Sequence, residues 1–269
     1  TPAPKECMEL STFYKILTEI RSVYTPLELN DISFATYNEP NLDVGFKEKL
    51  MLMTSMGFQY EHISNGSMIT TELTDFLIQY PQNIKQFRLN IPTLDEKKWK
   101  DITGSAVSVL YRMFYQLEYL FSRASLLNFP ITVIVNGDGG KDHKLEFQKV
   151  YQKFAHFKGI TLTMTGLIDR AGTLEGAECE TQKLPSGEID WGEQPLRCNA
   201  DYFNNLYFGI KGNVFYCCHD YHQKYSCGNI KDTPLRALLK SDNYYKEKQR
   251  FMNDFCRKCE QARPLQTVN

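Results

Sequence analysis

The sequence predicts an α/β protein: a partial, TIM-like (β/α)6 barrel over residues 1–176, then a linker and a small module of β-hairpin and helix over residues 177–269. Three observations point there. Segments of strand and helix period alternate from about residue 8 to residue 166, at the spacing that parallel βαβ units require. The stretch 171–197, "AGTLEGAECETQKLPSGEIDWGEQPLR", lacks periodicity and is rich in Gly, Glu and Pro, as a linker would be. Beyond it the pattern changes, and seven of the eight cysteines fall from residue 179 onward.

In chain order, "MELSTFYKILTEIRSVY" puts Leu10, Phe13, Ile16, Leu17 and Ile20 on one helical face, with Ser11 as the expected N-cap. "DISFATY" is a short strand running into Asn38-Glu39-Pro40. "GFKEKLMLMTSMG" is a helix stopped by Gly57, and "FQYEHIS" a strand broken at Asn65-Gly66. "TTELTDFLIQYP" is a helix ended by Pro81, and "KQFRLNI" a strand ended by Pro92. "VSVLYRMFYQLEYLFSRASLL" is a long amphipathic helix whose Leu110, Met113, Phe114, Leu117, Leu120 and Phe121 form a core stripe. "PITVIVN", "HKLEFQKVYQKFAHF" and "ITLTMTGLI" give strand, helix and strand. In the C-terminal module, "NNLYFGIKGNVFYCC" predicts a hairpin with a two-residue turn at Lys211-Gly212. "DTPLRALLKS" is a short helix with Asp232 or Thr233 as N-cap, and "SDNYYKEKQRFMNDF" a final helix.

Composition narrows the function classes. With 42% hydrophobic and 23% charged residues and a formal net charge of −1, the chain has no disorder signature and no global field to draw it to nucleic acid or anionic membrane. No apolar run approaches the roughly 18–20 residues that a membrane span needs. "TPAPKECMELSTFYKIL" carries no signal-peptide pattern, so a cytoplasmic protein is expected. There is no GxGxxG followed by an acidic residue, no P-loop and no HExxH.

The cysteines carry the chemistry. A disulfide scaffold is usually a shorter, cysteine-denser secreted chain, so a thiolate-ligated metal is the better reading. Cys198 is followed after 13 residues by Gly212, then after four by Cys217, and Cys256 and Cys259 form a CxxC directly after the last helix. Four soft sulfur ligands suit tetrahedral zinc or an iron–sulfur cluster, and spacing alone leaves both open.

The order of cysteine, hairpin glycine, cysteine, "GNI", short helix and CxxC resembles the twitch domain, the shortened SPASM domain of radical S-adenosylmethionine enzymes. Upstream motifs fit the same family. "YNEP" at 37–40 resembles its GGEP, "SNG" at 64–66 its TNG, and "RLNIPTLDEKKWKDITG" at 88–104 the segment after its fourth strand. "LIDRAG" at 167–172 resembles the arginine-containing end of its sixth strand. Members acting as 2-deoxy-scyllo-inosamine dehydrogenases are the nearest in kind. The resemblance implies that Cys198, Cys217, Cys256 and Cys259 hold one auxiliary 4Fe–4S cluster. It also implies that Glu39, Asn65, Asn90 and Asp138 bind S-adenosylmethionine, Glu39 through the amino group, and that Arg170 is the catalytic residue at the substrate. The implied activity is an oxidoreductase: a 5′-deoxyadenosyl radical abstracts a substrate hydrogen and the auxiliary cluster takes an electron. The substrate would be an alcohol, an amino sugar or a peptide, and the reductant a flavodoxin or ferredoxin.

One departure matters. The family's CxxxCxxC, which binds a second 4Fe–4S cluster, is absent. The first strand and cluster loop are therefore expected to be missing, and the chain as written is expected not to initiate catalysis. The competing reading is a degenerate, non-catalytic barrel that binds a peptide or protein, with a purely structural four-cysteine metal site. Plainer roles also exist for single residues. Asn65-Gly66 is a turn dipeptide, Asn90 can cap the turn after it, and Arg170 can pair with Asp169 or Glu175. Cys218, if on a strand, would point away from Cys217 and pack as a small hydrophobe, as would Cys227. Cys179 lies in the linker and is not expected among the ligands, and His219 and His222 are expected as surface groups or supports for the ligands.

Overall fold

The computed structural model describes residues 6–25, 32–34, 39–80, 82–166, 171, 195–198 and 205–264. It divides into two compact units, one of residues 1–7 and 26–166, the other of residues 8–25 and 167–269.

In the first unit, alternating strand and helix period yields β1 (Ile32–Ser33), β2 (Tyr60–Ser64), β3 (Ile84–Asn90), β4 (Ile131–Gly137) and β5 (Ile160–Gly166). They pair in parallel in the order β1-β2-β3-β4-β5, the topology expected of a β/α barrel, and the sheet is open among the described residues. Most of the expected first strand lies outside the described residues. The helices are α2 (Phe46–Ser55), α3 (Thr71–Gln79), α4 (Glu96–Thr103), α5 (Val107–Ser122) and α6 (Lys141–Phe154). α2 stops as expected: Gly57 takes φ 72°, and Phe58 N–H and Gly57 N–H bond back to the carbonyls of Met53 and Thr54, both at 3.0 Å. α3 begins where Thr70 Oγ1 accepts from Leu73 N–H at 3.1 Å. α4 was not expected from the sequence. Asp95 caps it through Lys98 N–H, Gly104 closes it at φ 66°, and Trp99 is its buried residue. The core stripe of α5 is buried at Leu110, Met113, Leu117, Leu120 and Phe121, while Phe114 is only partly covered. The long helix expected to residue 127 breaks after Ser122 into a 3-10 turn at Ala124–Leu126.

The second unit contains α1 (Leu10–Val23), although the sequence groups this helix with the N-terminal half. The reason is a partner that no local pattern reveals. The Glu19 carboxylate accepts from Leu235 N–H at 2.8 Å, at the start of α7 (Leu235–Leu239). The expected Asp232 and Thr233 caps are thereby corrected: Pro234 holds the cap position, and Asp232 and Thr233 N–H both bond to Asn229 O. Ser11 likewise lies inside α1, whose N-cap is Glu9. Two small antiparallel sheets complete the unit. One pairs β6 (Leu196–Cys198) with β10 (Ala262–Pro264). The other orders β7 (Tyr207–Phe208), β8 (Asn213–Phe215) and β9 (Ser226–Asn229). The turn between β7 and β8 is longer than the expected two residues. It spans residues 209–212, closed by Gly212 N–H on Gly209 O at 2.9 Å, with Gly212 at φ 91°. α8 (Asp242–Asp254), capped by Ser241, runs into a 3-10 turn at Cys256–Lys258. The boundary expected at 176/177 lies outside the described residues. Among the described residues no helix is long and apolar enough to cross a membrane.

One core residue of the first unit is costly. His62 on β2 is buried between the rings of Phe46 and Phe87, with centroids 4.9 and 4.4 Å away, and neither ring nitrogen has a partner among the described residues. Burial pulls its pKa down to about 3. Because the unfolded chain binds that proton near pH 6.5, stability is lost as the pH falls from about 6.5 toward 3. Between pH 7 and pH 5 the loss from this residue is about 2 kcal/mol. His62→Phe should remove that component of the pH dependence, read from urea midpoints at the two pH values. An identical acid sensitivity in both proteins would contradict it.

Candidate functional site

The second unit holds an apolar pocket of about 340 Å³, counting its open mouth, and all four expected ligands, Cys198, Cys217, Cys256 and Cys259, line it. They arrive on three supports. Cys198 ends β6, in register with Ala262 of β10. Cys217 follows the end of β8, which the turn at 209–212 folds back along β7. Cys256 opens the 3-10 turn after α8 and Cys259 closes it, with Cys259 N–H on Cys256 O at 3.1 Å. Met252 and Phe255 from the end of α8, with Leu196 and Ala262 from the β6–β10 pair, make the walls greasy. Among the described residues no cysteine forms a disulfide, and no group of three or more His, Cys, Asp or Glu side chains is placed to hold a metal ion.

The donor set, four thiols, suits tetrahedral zinc or an iron–sulfur cluster. Cys217, Cys256 and Cys259 are 7%, 8% and 6% exposed. Burial, then the neighbouring thiols of Cys259 and Cys198, push the Cys256 thiol well above its ordinary value. The Cys217 thiol is pushed up first by its hydrogen bond to Cys218 and then by burial. Four thiolates crowded into apolar surroundings need positive charge among them, and a coordinated metal supplies it while holding the thiols deprotonated.

Of two neighbours, Cys218 differs from expectation and His219 takes the supporting place that was one of the two expected for it. The chain leaves β8 at Phe215, so strand alternation does not govern Cys217 and Cys218; the Cys218 thiol hydrogen-bonds that of Cys217 and the Tyr207 hydroxyl. Cys218 nonetheless stands outside the pocket walls. His219, expected as a surface or supporting group, is 4% exposed and lines the pocket. Its backbone N–H donates to Cys217 Sγ at 3.4 Å, and its Nδ1 lies 3.8 Å from Cys259 Sγ. Its position directly after the Cys217-Cys218 pair was the available signal. Cys227 packs as expected, its thiol on Val214 O at 3.2 Å and raised by burial to about 11. Cys179 lies outside the described residues.

A second constellation lies in the first unit. Because the sheet is parallel, Glu39, Asn65, Asn90 and Asp138 all sit at strand carboxyl ends, on one edge. The structure ties two of them together: Glu39 Oε2 accepts from Asn65 N–H at 2.6 Å, and Oε1 from Ser64 Oγ at 2.8 Å and Asn41 N–H at 3.1 Å. Burial raises the Glu39 pKa despite these donors. Ser64, buried and also accepting from Gly66 N–H at 3.0 Å, is a part of this cluster that the strand pattern did not single out. Gly66 takes φ 76°, so the chain turns away from the edge at once. The Asn65 side chain accepts from Ser67 N–H at 2.9 Å, the turn role foreseen for it. Asn90 and Asp138 stand on the edge outside this cluster, and Asp138 Oδ1 accepts from Gly140 N–H at 2.8 Å. Arg170 lies outside the described residues.

The Asp138 loop is held from below by His143 of α6, buried at 6% exposure. Gly139 N–H can only donate, so His143 Nδ1 accepts it at 2.9 Å, and Nε2–H donates to Val135 O at 2.9 Å.

Residues 198–260, which contain all four pocket cysteines, match the SPASM family, an iron–sulfur cluster-binding domain. A search of curated proteins finds no match. Among solved structures, BtrN in complex with AdoMet and 2-DOIA is 14% identical, over 97% of this chain and 82% of its own, with a TM-score of 0.53. Streptococcus suis SuiB bound to precursor peptide SuiA is 10% identical, over 97% of this chain and 65% of its own, with a TM-score of 0.59. The enzyme anSMEcpe with bound AdoMet and Kp18Cys peptide is 16% identical, over 89% and 74%, with a TM-score of 0.56. All three are radical S-adenosylmethionine enzymes, and this chain shares their fold.

Gly137, where β4 meets the Asp138 loop, tests the packing of that edge. A Cβ there would stand 2.4 Å from His143 Cγ. Gly137→Ala should cost about 1–3 kcal/mol and speed hydrogen exchange at the amides of residues 138–140. Unchanged stability and exchange would show that His143 does not pin the loop.

Proposed function

We propose that the chain is a radical S-adenosylmethionine oxidoreductase whose second unit holds an auxiliary 4Fe–4S cluster on Cys198, Cys217, Cys256 and Cys259. The observation that carries the proposal is the convergence of these four thiols on one apolar pocket, inside the segment that matches the SPASM family. When bound, the cofactors supply hydrogen-atom abstraction from the substrate and a site for the electron that leaves it.

The residues prepare that chemistry. Apolar walls from Leu196, Met252 and Phe255 keep water from the thiolates. At the strand ends, Glu39 is the acceptor for the methionyl amino group, a charge-assisted hydrogen bond, with Ser64 and Asn65 N–H holding the carboxylate in place. Asn65, Asn90 and Asp138 offer polar groups along the same edge, and Arg170 stabilises negative charge developing on the substrate. The substrate is a small alcohol or amino sugar, or a peptide; BtrN is bound to 2-DOIA, SuiB to SuiA and anSMEcpe to Kp18Cys peptide. A flavodoxin or ferredoxin in the cytoplasm is the proposed reductant, with no nucleic acid or membrane partner.

Iron, acid-labile sulfide and zinc per chain, measured after anaerobic purification, test the auxiliary centre. About four irons and four sulfides are expected, lost in Cys217→Ala and kept in Cys218→Ala. Zinc without sulfide would overturn the proposal. In the cluster-loaded protein, Glu39→Gln should weaken S-adenosylmethionine binding by about 10- to 150-fold, since a hydrogen bond to a charged group is worth about 1.5–3 kcal/mol. An unchanged affinity would remove Glu39 from the site.

A further inference from the structure

The pocket carries one polar group that ligation leaves unexplained. His219 is 4% exposed, lines the thiol pocket, and presents Nδ1 at 3.8 Å from Cys259 Sγ. Its orientation is built in by the turn that follows Cys217. Asp220, buried at 2% exposure, accepts from Lys224 N–H at 3.0 Å and Tyr225 N–H at 2.9 Å. Tyr221 N–H closes on His219 O at 2.7 Å, and Gln223 N–H on Asp220 O at 2.9 Å. These bonds fix the backbone from which the His219 imidazole projects into the pocket.

We propose that His219 is a positioning residue for the metal centre: its Nδ1–H donates to the Cys259 thiolate and raises the centre's reduction potential. The inference rests on the four-cysteine cluster reading above. A ligating thiolate offers lone pairs and no proton, so a ring nitrogen facing it can make a favourable contact only as the donor. The residue's own backbone N–H already points at Cys217 Sγ, 3.4 Å away, so one residue directs donors at two of the four sulfurs. Reduction adds negative charge to the cluster and its sulfurs. A donor aimed at a sulfur stabilises the reduced form more than the oxidised one, and hydrogen bonds to sulfur together with solvent exclusion are the levers that set such potentials. Arg197 also borders the pocket, but its side chain is exposed, where solvent and salt screen its charge. His219 is the buried donor. A centre made easier to reduce is the better electron acceptor, which is the role the proposed reaction assigns to it.

The test uses the anaerobically purified chain with iron and sulfide measured first, then an EPR-monitored redox titration. His219→Leu should keep its iron and make reduction about tenfold less favourable, which is 59 mV for a one-electron couple. His219→Asn, which places an amide N–H near the position of Nδ1, should restore most of the wild-type value. A loaded His219→Leu protein with an unchanged potential would overturn the inference while leaving the cluster reading intact. Should His219→Leu lose its iron, the wild-type protein decides the matter through the hyperfine coupling of 15N-labelled histidine to the reduced cluster. A weak coupling that accompanies an exchangeable proton supports the hydrogen bond. A strong coupling of directly bound nitrogen, or none, overturns it. Zinc in place of iron in the wild type would overturn the cluster reading itself.

Discussion

Charge balance among buried thiols is the constraint from which the second unit is built. Cys217, Cys256 and Cys259 are each less than a tenth exposed, and the walls around them come from Leu196, Met252, Phe255 and Ala262. In such surroundings a thiolate is unstable alone, and several thiolates are less stable together. A bound metal centre reverses the sign of that interaction: burial that penalises uncompensated thiolates favours thiolates paired with the metal's positive charge. The strands and turns of this unit are short, as Leu196–Cys198, Ala262–Pro264 and Cys256–Lys258 show, and each of these three carries or adjoins a ligand. These pieces are small, and under the proposed function the centre is their common anchor.

The first unit obeys a different logic. Its five parallel strands pair in sequence order, so each strand's carboxyl end lies on the same edge whatever the loops do. Glu39 and Asn65 come from different βα connections and meet there through a backbone N–H, with Ser64 bridging. The polar cluster is thus a consequence of topology, and the fine placement of each side chain belongs to local devices such as Gly66 and the His143 support under the Asp138 loop.

Local chemistry was legible in the sequence. Gly57 ends α2 through its left-handed conformation, as expected, because that is decided within a few residues. The four cysteines could be grouped because ligand spacing is itself a sequence property. What escaped depends on distant partners or on small departures from regularity. α1 joins the second unit because Glu19 meets Leu235 N–H, a contact separated by 216 positions. β6 was read as linker because three residues, Leu196–Cys198, become a strand only when Ala262–Pro264 lies beside them. Cys218 was expected to face away from Cys217 because strand alternation was carried past Phe215, where the strand has already ended. α4 was hidden because Trp99 is its one buried residue, which gives no helical stripe to detect. His219 was underestimated because a histidine beside a ligand looks the same in sequence whether it faces in or out.

If the metal centre is what organises the second unit, its removal should be felt there and not in the parallel sheet. Hydrogen exchange by mass spectrometry, on loaded and anaerobically chelated protein, compares the two directly. The account predicts that chelation strips protection from residues 196–198, 217–220 and 256–264 while residues 84–90 and 131–137 keep theirs. Equal protection of the cysteine segments with and without metal would contradict it, because those segments would then be held by their own packing and the centre would be a passenger.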